Sequence, residues 1–440
     1  MESTYRAATP HTTPGNPGAG VQRGQLRFVV IGLGGYGLVH IDAVKWLESK
    51  GLGVLSGVVA LPVDRAQKPG LVESLRERNV ALYENVDHFF TAGLETADVL
   101  TVPVGISMHV PISIRALRAG LHVYCEKPVA ATVPEVDRLM AAGSESGRLV
   151  AIGFQHITSN SMQQLKARIC DGRLGRAVSI LLMCGWPRSV QYYTRNEWAG
   201  RLRLGNDWIL DSPANNAHAH YLLNTLYLSS TGRDTTGTPV ALQAELYRAN
   251  PIESADTVQV RLKTEQGTLV FVTLSHANEK PTGPFMEIEC ENGRATWRSD
   301  EGKTVVTYRD GAREEFDNCT HDKWRFDGFS DLVEAIRDHR PPRCTPAIAR
   351  PQTVAIHAMH ALSPPIVPIP EEHITETEDW EMFPPDTKGR FRRVRGMDEH
   401  LKAALDEGKF FSELGVPWAT SVRSVMRPVP PVPRELSVNQ

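Results

Sequence analysis

The stretch LRFVVIGLGGYG, Leu26 to Gly37, restricts the fold more than any other. An apolar run ending in glycine reads as a buried strand. Gly32, Gly34 and Gly37 then form a GxGxxG pattern, with Gly35 and Tyr36 inside it. The pattern opens YGLVHIDAVKWLESKG, whose apolar residues recur at helical spacing. In this context the first glycine permits a tight turn, the second lets a pyrophosphate approach the backbone, and the third lets helix and strand pack closely. The helix N-terminus attracts the phosphate charge. The stretch therefore predicts a dinucleotide site.

The acidic residue that usually ends the second strand and holds the ribose hydroxyls is missing. VVALPVDRAQ places Leu61 and Pro62 there, with Asp64 and Arg65 just beyond. Arg65 suits a 2′-phosphate or a solvated helix start, so NAD and NADP both stay open as cofactors.

Further strands are expected at Val54–Leu61, Ala97–Val104, His122–Glu126 and Leu149–Phe154, with helical segments between them. Strands alternating with helices predict a parallel sheet covered on both faces. After about residue 155 the pattern changes to strand-like runs separated by turns such as NG and EQG, which predicts a mostly antiparallel sheet. WRFDGFSDLVEAIRDHRPP adds a late helix that can pack back on the first domain. The expected division is a flexible tail over 1–24, a dinucleotide-binding domain over 25–154, a substrate-binding α+β domain over 155–368 and a partly disordered C-terminal extension over 369–440.

A formal net charge of -3 speaks against nucleic acid as a partner. No run approaches the roughly 18 apolar residues of a membrane span, and no secretory leader is evident. The six scattered cysteines form no CxxC pair, which suits a reduced, cytoplasmic protein and argues against a thiolate metal site.

LHVYCEKPVA, Leu121 to Ala130, runs an apolar strand into Glu126, Lys127 and Pro128. Together with FVVIGLGGYG, ADVLTVPVGISMHVPISIRALRAG, GFQH and ICDGRLGRAVSI, it resembles the Gfo/Idh/MocA oxidoreductases, relatives of glucose–fructose oxidoreductase and inositol dehydrogenase. The likeness is strong to about Ile180 and looser to about Ala361. It implies an α/β chain: a Rossmann domain followed by an α+β domain with an open, mostly antiparallel sheet. It implies a sugar, cyclitol or derivative as the small-molecule substrate, and a homo-oligomer formed through the second-domain sheet. It also implies a cis peptide before Pro128, a catalytic Lys127, cofactor contacts by Glu126 and Pro128, and a place near the cofactor for Pro103 and His109. A helix-start role serves His109 equally well. An ammonium at the carboxyl end of the sheet stabilises a developing alkoxide and relays its proton.

The family's second motif, an acid four residues before a histidine, is altered. GNDWILDSPANNAHAH puts the acid at Asp211 in one register, with Asn215 where histidine belongs. Reading back from the helix puts the histidine at His220, with Asn216 four residues before it. His220 is the expected acid/base residue in both, supported by Asp211 or Asn216, and His218 is its competitor. His218 and His220 do not share a helix face, so no metal pair is expected. GWPRSVQYYTRNEWAGRLR concentrates Arg188, Tyr193, Arg195, Trp198 and Arg201, which suits a polyhydroxylated ligand carrying a carboxylate or phosphate, or else a protein contact. The expected activity is NAD(P)-dependent hydride transfer. The fold also admits an NAD-dependent glycosidase working by transient oxidation, and a nucleotide-sensing regulator.

Overall fold

A computed structural model of the chain describes residues 24–363, 365–380, 388–419, 424–430 and 436. All but one residue of the tail expected over 1–24 lie outside these, as do most of the residues after 430 that read as extended.

Strands β1 (Leu26–Ile31), β2 (Gly53–Val59), β3 (Ala81–Tyr83), β4 (Val99–Val102), β5 (His122–Cys125) and β6 (Val150–Ile152) form a parallel sheet in the order β3-β2-β1-β4-β5-β6. Every residue of β4 and β6 is buried, as expected when helices cover both faces. Strand order reverses between β1 and β4. The crevice outside their carboxyl ends is where such sheets bind ligands, and the glycine turn and the loop of Pro103 both lie there.

The second sheet is built from β7 (Ala177–Gly185), β10 (Pro239–Arg248), β11 (Thr257–Thr264), β12 (Leu269–Ser275), β13 (Thr282–Cys290), β14 (Gly293–Arg298), β15 (Lys303–Tyr308), β16 (Arg313–Asp317) and β17 (Val367–Pro368). A short ribbon of β8 (Arg203–Leu204) and β9 (Asp207–Trp208) interrupts the series. The order is β16-β15-β14-β13-β7-β12-β11-β10-β17. Pairings are antiparallel except β7 with β12 and β10 with β17. This is the expected α/β class: a Rossmann sheet followed by a mixed, mostly antiparallel one.

The helix Pro346–Leu362 is absent from the sequence reading. Its two prolines obscure it, yet Pro346 sits in the first turn, where its missing N–H costs nothing. The helix packs on Val133–Ser146 of the first domain and on Ala219–Leu228 and β10 of the second. One apolar core consequently runs from Val29 and Leu100 through Ala355 to Ile180 and Leu262. The late helix Asp327–Arg337 lies against the first sheet, with Phe329 stacked on Tyr124 at 3.8 Å between ring centroids.

The described part of the C-terminal extension folds onto the second sheet. The hairpin of β18 (Ile374–Trp380) and β19 (Lys388–Val394) leads into the helix Met397–Glu407. Met397, Leu401, Phe410, Phe411 and Trp418 then bury themselves against Met183, Tyr247 and Phe271 on the outer face of β7, β10 and β12. Strand β20 (Arg427–Pro428) pairs with the edge of β10. The chain's own residues thus cover part of the outer face of that sheet. No helix among the described residues is long and apolar enough to cross a membrane.

Candidate active site

The glycine turn has the shape a dinucleotide requires. Gly32 holds φ +96, open to glycine alone among unstrained residues. A Cβ on Gly37 would lie 2.6 Å from the Gly32 carbonyl oxygen, so the helix Tyr36–Ser49 approaches β1 only without one. Apart from its neighbours in the chain, Gly34 has no atom of the described residues within 4 Å of its Cβ position. Its backbone is a bare surface at a helix N-terminus, the place for a pyrophosphate. Gly35 precedes the helix and Tyr36 begins it, partly exposed. These residues fit the cofactor. At the end of β2, Leu61 is exposed and Arg65 donates from Nε to the Ala60 carbonyl at 3.0 Å.

The second feature is the turn after β5. The Lys127–Pro128 peptide is cis. Glu126 is buried, with Oε1 3.0 Å from His40 Nε2 and Oε2 accepting the Lys127 backbone N–H at 3.0 Å. A Cβ on Gly153 would sit 2.6 Å from Oε1, so Glu126 uses the space that glycine leaves. His109 does not turn a free nitrogen to the cleft. It is buried, with Nδ1 2.7 Å from the Pro128 carbonyl and Nε2 3.1 Å from the Val104 carbonyl. Its ring ties the turn to the loop of Pro103.

Lys127 Nζ donates to the Asn216 carbonyl at 2.9 Å and to Asn216 Oδ1 at 3.4 Å. Desolvation lowers its pKa below the ordinary lysine value, against the attraction of Glu126 and Asp211. Asn216 Nδ2 in turn donates to Asp211 Oδ1 at 2.9 Å, while Asp211 Oδ2 accepts the Gly200 N–H at 2.6 Å. Burial raises the Asp211 pKa, offset by Arg195 and these hydrogen bonds. Both residues that competed for the motif acid therefore belong to one chain, Lys127–Asn216–Asp211. Asn215 stands apart: its amide donates to the Ile209 carbonyl, and its oxygen accepts from Gln352.

The histidines flank this chain differently. His220 lies in the first turn of the helix Ala219–Leu228, buried against Phe154 and His156, with Nδ1 unpartnered among the described residues. Burial lowers its pKa well below the usual range, and Lys127 adds to the effect. His218 packs on Trp186 and His276, and neither ring nitrogen has a partner among the described residues.

The aromatic and basic segment forms a wall of the same region. Tyr192 and Tyr193 line a small cleft with Asp211, Ser212, Asn216 and His276. Arg188 is 5% exposed, its guanidinium carbon 4.9 Å from the Tyr192 ring centroid. Arg195 lies over the other reach of Tyr192, at 3.6 Å. Trp198 stands beside Gly105, 3.3 Å from its Cβ position, and so bridges to the first domain. Arg201 leaves the group and pairs with exposed Glu253 at 3.7 Å. His40, Gly153 and His276 escaped the sequence reading. His40 gave one faint signal, a polar residue on the apolar face of the first helix. Among the described residues no cluster of His, Cys, Asp or Glu could hold a metal ion.

Comparison with known proteins gives this geometry relatives. The model of an oxidoreductase family with an NAD-binding Rossmann fold matches residues 26–154, and that of the GFO/IDH/MocA C-terminal domain matches 162–296. The 4-carboxy-2-hydroxymuconate-6-semialdehyde dehydrogenase of a Sphingobium species is 25% identical over 332 residues, 73% of this chain and 94% of that protein. The inositol 2-dehydrogenase of Salmonella typhimurium is 26% identical over 151 residues, 34% of this chain and 44% of that protein. The WlbA dehydrogenase from Bordetella pertussis, solved with NADH and UDP-GlcNAcA, shares the fold at TM-score 0.60 and 18% identity, covering 76% of this chain and 95% of its own. The aldose-aldose oxidoreductase from Caulobacter crescentus does so at TM-score 0.61 and 20% identity, covering 76% and 96%.

Proposed function

The chain belongs to the GFO/IDH/MocA oxidoreductases, and from that premise we propose that it interconverts a hydroxyl and a keto group on a sugar, cyclitol or sugar derivative, with NAD or NADP. The carrying observation is Lys127, held at the carboxyl end of the first sheet and hydrogen-bonded to Asn216. Gly32 to Gly37 would cradle the pyrophosphate, with Glu126 and Pro128 bordering the nicotinamide end. A bound nicotinamide supplies the hydride acceptor or donor.

The rest is work for side chains. Lys127 Nζ receives the hydroxyl proton during oxidation and returns it during reduction. Asn216 fixes the direction of the amine, and Asp211 fixes Asn216. Glu126 sets the turn. His220 is the second proton-transfer group, its neutral ring suited to accept a hydrogen bond from substrate. Tyr193, Arg195 and Trp198 supply substrate contacts. Where the family's motif acid would precede the histidine by four residues stands Asn216, which links the acid Asp211 to the lysine. The unpaired thiols support work in a reducing, cytoplasmic compartment.

The test is reduction of NAD and NADP across sugars, inositols and sugar acids. Lys127→Ala is expected to lower kcat by about 10²–10⁴-fold while cofactor binding, read by nucleotide fluorescence, persists. Turnover that survives Lys127→Ala refutes the assignment. Because the neutral amine takes the proton, kcat/KM for oxidation should rise with pH through the lowered lysine pKa and level above it. Lys127→Ala should lose that limb.

A further inference from the structure

Arg188 is a buried cation with no counter-ion among the described residues. It is 5% exposed, and neither Nε nor Nη1 has a hydrogen-bond partner among the described residues. No described carboxylate forms an ion pair with it, whereas less buried arginines such as Arg201, Arg298 and Arg392 are paired. The nearby acids are committed elsewhere. Asp211 serves Gly200 and Asn216. Asp256 accepts the backbone N–H groups of Ala249 and Asn250 and the Asn250 amide. The rings around Arg188 add no negative charge: Tyr192 at 4.9 Å and Trp186 at 6.0 Å. Tyr193 OH and both His218 ring nitrogens are likewise buried without partners among the described residues. Lys127 adds a second cation to the same region, and its partners are the carbonyl and amide oxygens of Asn216.

Burying a guanidinium without a counter-charge is costly, and folds keep one where a ligand supplies the missing charge. We infer that Arg188 anchors a carboxylate on the substrate, so that the enzyme acts on an acidic sugar or cyclitol derivative rather than its neutral parent. The anion would reach Arg188 from the side of the cleft that Tyr192 and Tyr193 line. A carboxylate fits better than a phosphate monoester: one guanidinium balances a single charge, and Arg195, the next arginine of the segment, is exposed. The inference names the substrate class of the site proposed above and rests on that reading for its reaction. Its binding claim does not.

Binding and turnover are therefore measured separately. Glucuronate and galacturonate are titrated into the full-length protein with saturating NADH or NADPH, beside glucose, galactose and glucose 6-phosphate, by calorimetry and by thermal shift. The acids are expected to bind at least ~100-fold more tightly than their neutral parents, the scale of an unmatched buried charge. Arg188→Gln should erase that difference, and Arg188→Lys should restore part of it. Unchanged melting temperature and nucleotide binding in Arg188→Gln show that the fold survives. In turnover, the loss in Arg188→Gln should fall on KM for the acids. Equal binding of acids and neutral sugars overturns the inference, as does preference for the phosphate, absence of acid binding, or acid binding that ignores Arg188→Gln. Acid binding that depends on Arg188, with no redox turnover, would keep the anchor and refute the dehydrogenase.

Discussion

Gly153 shows how closely the site is fitted at the scale of single residues. The Glu126 carboxylate lies where a side chain on residue 153 would be. Gly153→Ala must push Glu126 off His40 or off the Lys127 N–H. Misplacing a catalytic group by about 1 Å costs roughly 10²-fold in rate. Gly153→Ala should therefore lower kcat by about that factor, measured against a melting curve showing that the protein still folds. The sequence made Glu126, Lys127 and Pro128 readable because they are adjacent. His40 was not readable, because its partner is 86 residues away. The altered second motif was half readable. Spacing offered Asp211 or Asn216 as alternatives, and only the folded chain joins them, with Asn216 bridging acid and amine.

Among elements, the helix Ala219–Leu228 carries His220 at one end and depends on a distant lysine at the other. Lys166 is 1% exposed, and its Nζ donates to the carbonyls of Tyr227, Ser230 and Thr235 at 2.6, 2.7 and 2.9 Å. A cation at a helix C-terminus satisfies carbonyls that the helix leaves open. Lys166→Met would leave these carbonyls buried and unpaired, at about 1–3 kcal/mol for each such group. A loss of at least about 2 kcal/mol in chemical denaturation is the expected result. The strands were legible because apolar residues alternate or run unbroken in them. The helix Pro346–Leu362 was hidden because Pro346 and Pro351 read as breakers, although burial of nearly its whole length outweighs their effect. The extension also reaches the active-site wall: β19 bridges Ser189 through Phe391, and the Arg390 N–H donates to Gln191 at 2.9 Å.

For the whole molecule, the outer face of the second sheet is packed by the chain's own C-terminal segment. Met183, Tyr247 and Phe271 are sealed by the chain's own helix and the residues after it. The intact protein is expected to scatter light as one chain of 48.7 kDa. Ending the chain after Ile366 uncovers that apolar surface and removes the brace on Ser189 and Gln191. Dimers or aggregates, with a higher KM in whatever remains soluble, should result. A truncated chain that stays monomeric with unchanged KM would contradict both roles. The sequence could not disclose this, since Met397, Leu401 and Phe410 meet Met183, Tyr247 and Phe271 only once distant strands are folded together.

The helix Pro346–Leu362 has a last consequence, for motion. Many two-domain enzymes admit substrate by swinging one domain about a hinge. Here the helix is a wedge driven between the domains, and swinging them apart would tear a continuous interior. The short segment from Trp186 to Arg201 supplies Tyr192 and Tyr193 to the cleft, and substrate entry is expected to depend on its motion rather than on a domain swing. The pace of entry and release is then expected to change with substitutions in that segment of some sixteen residues, not with the larger bodies on either side of it.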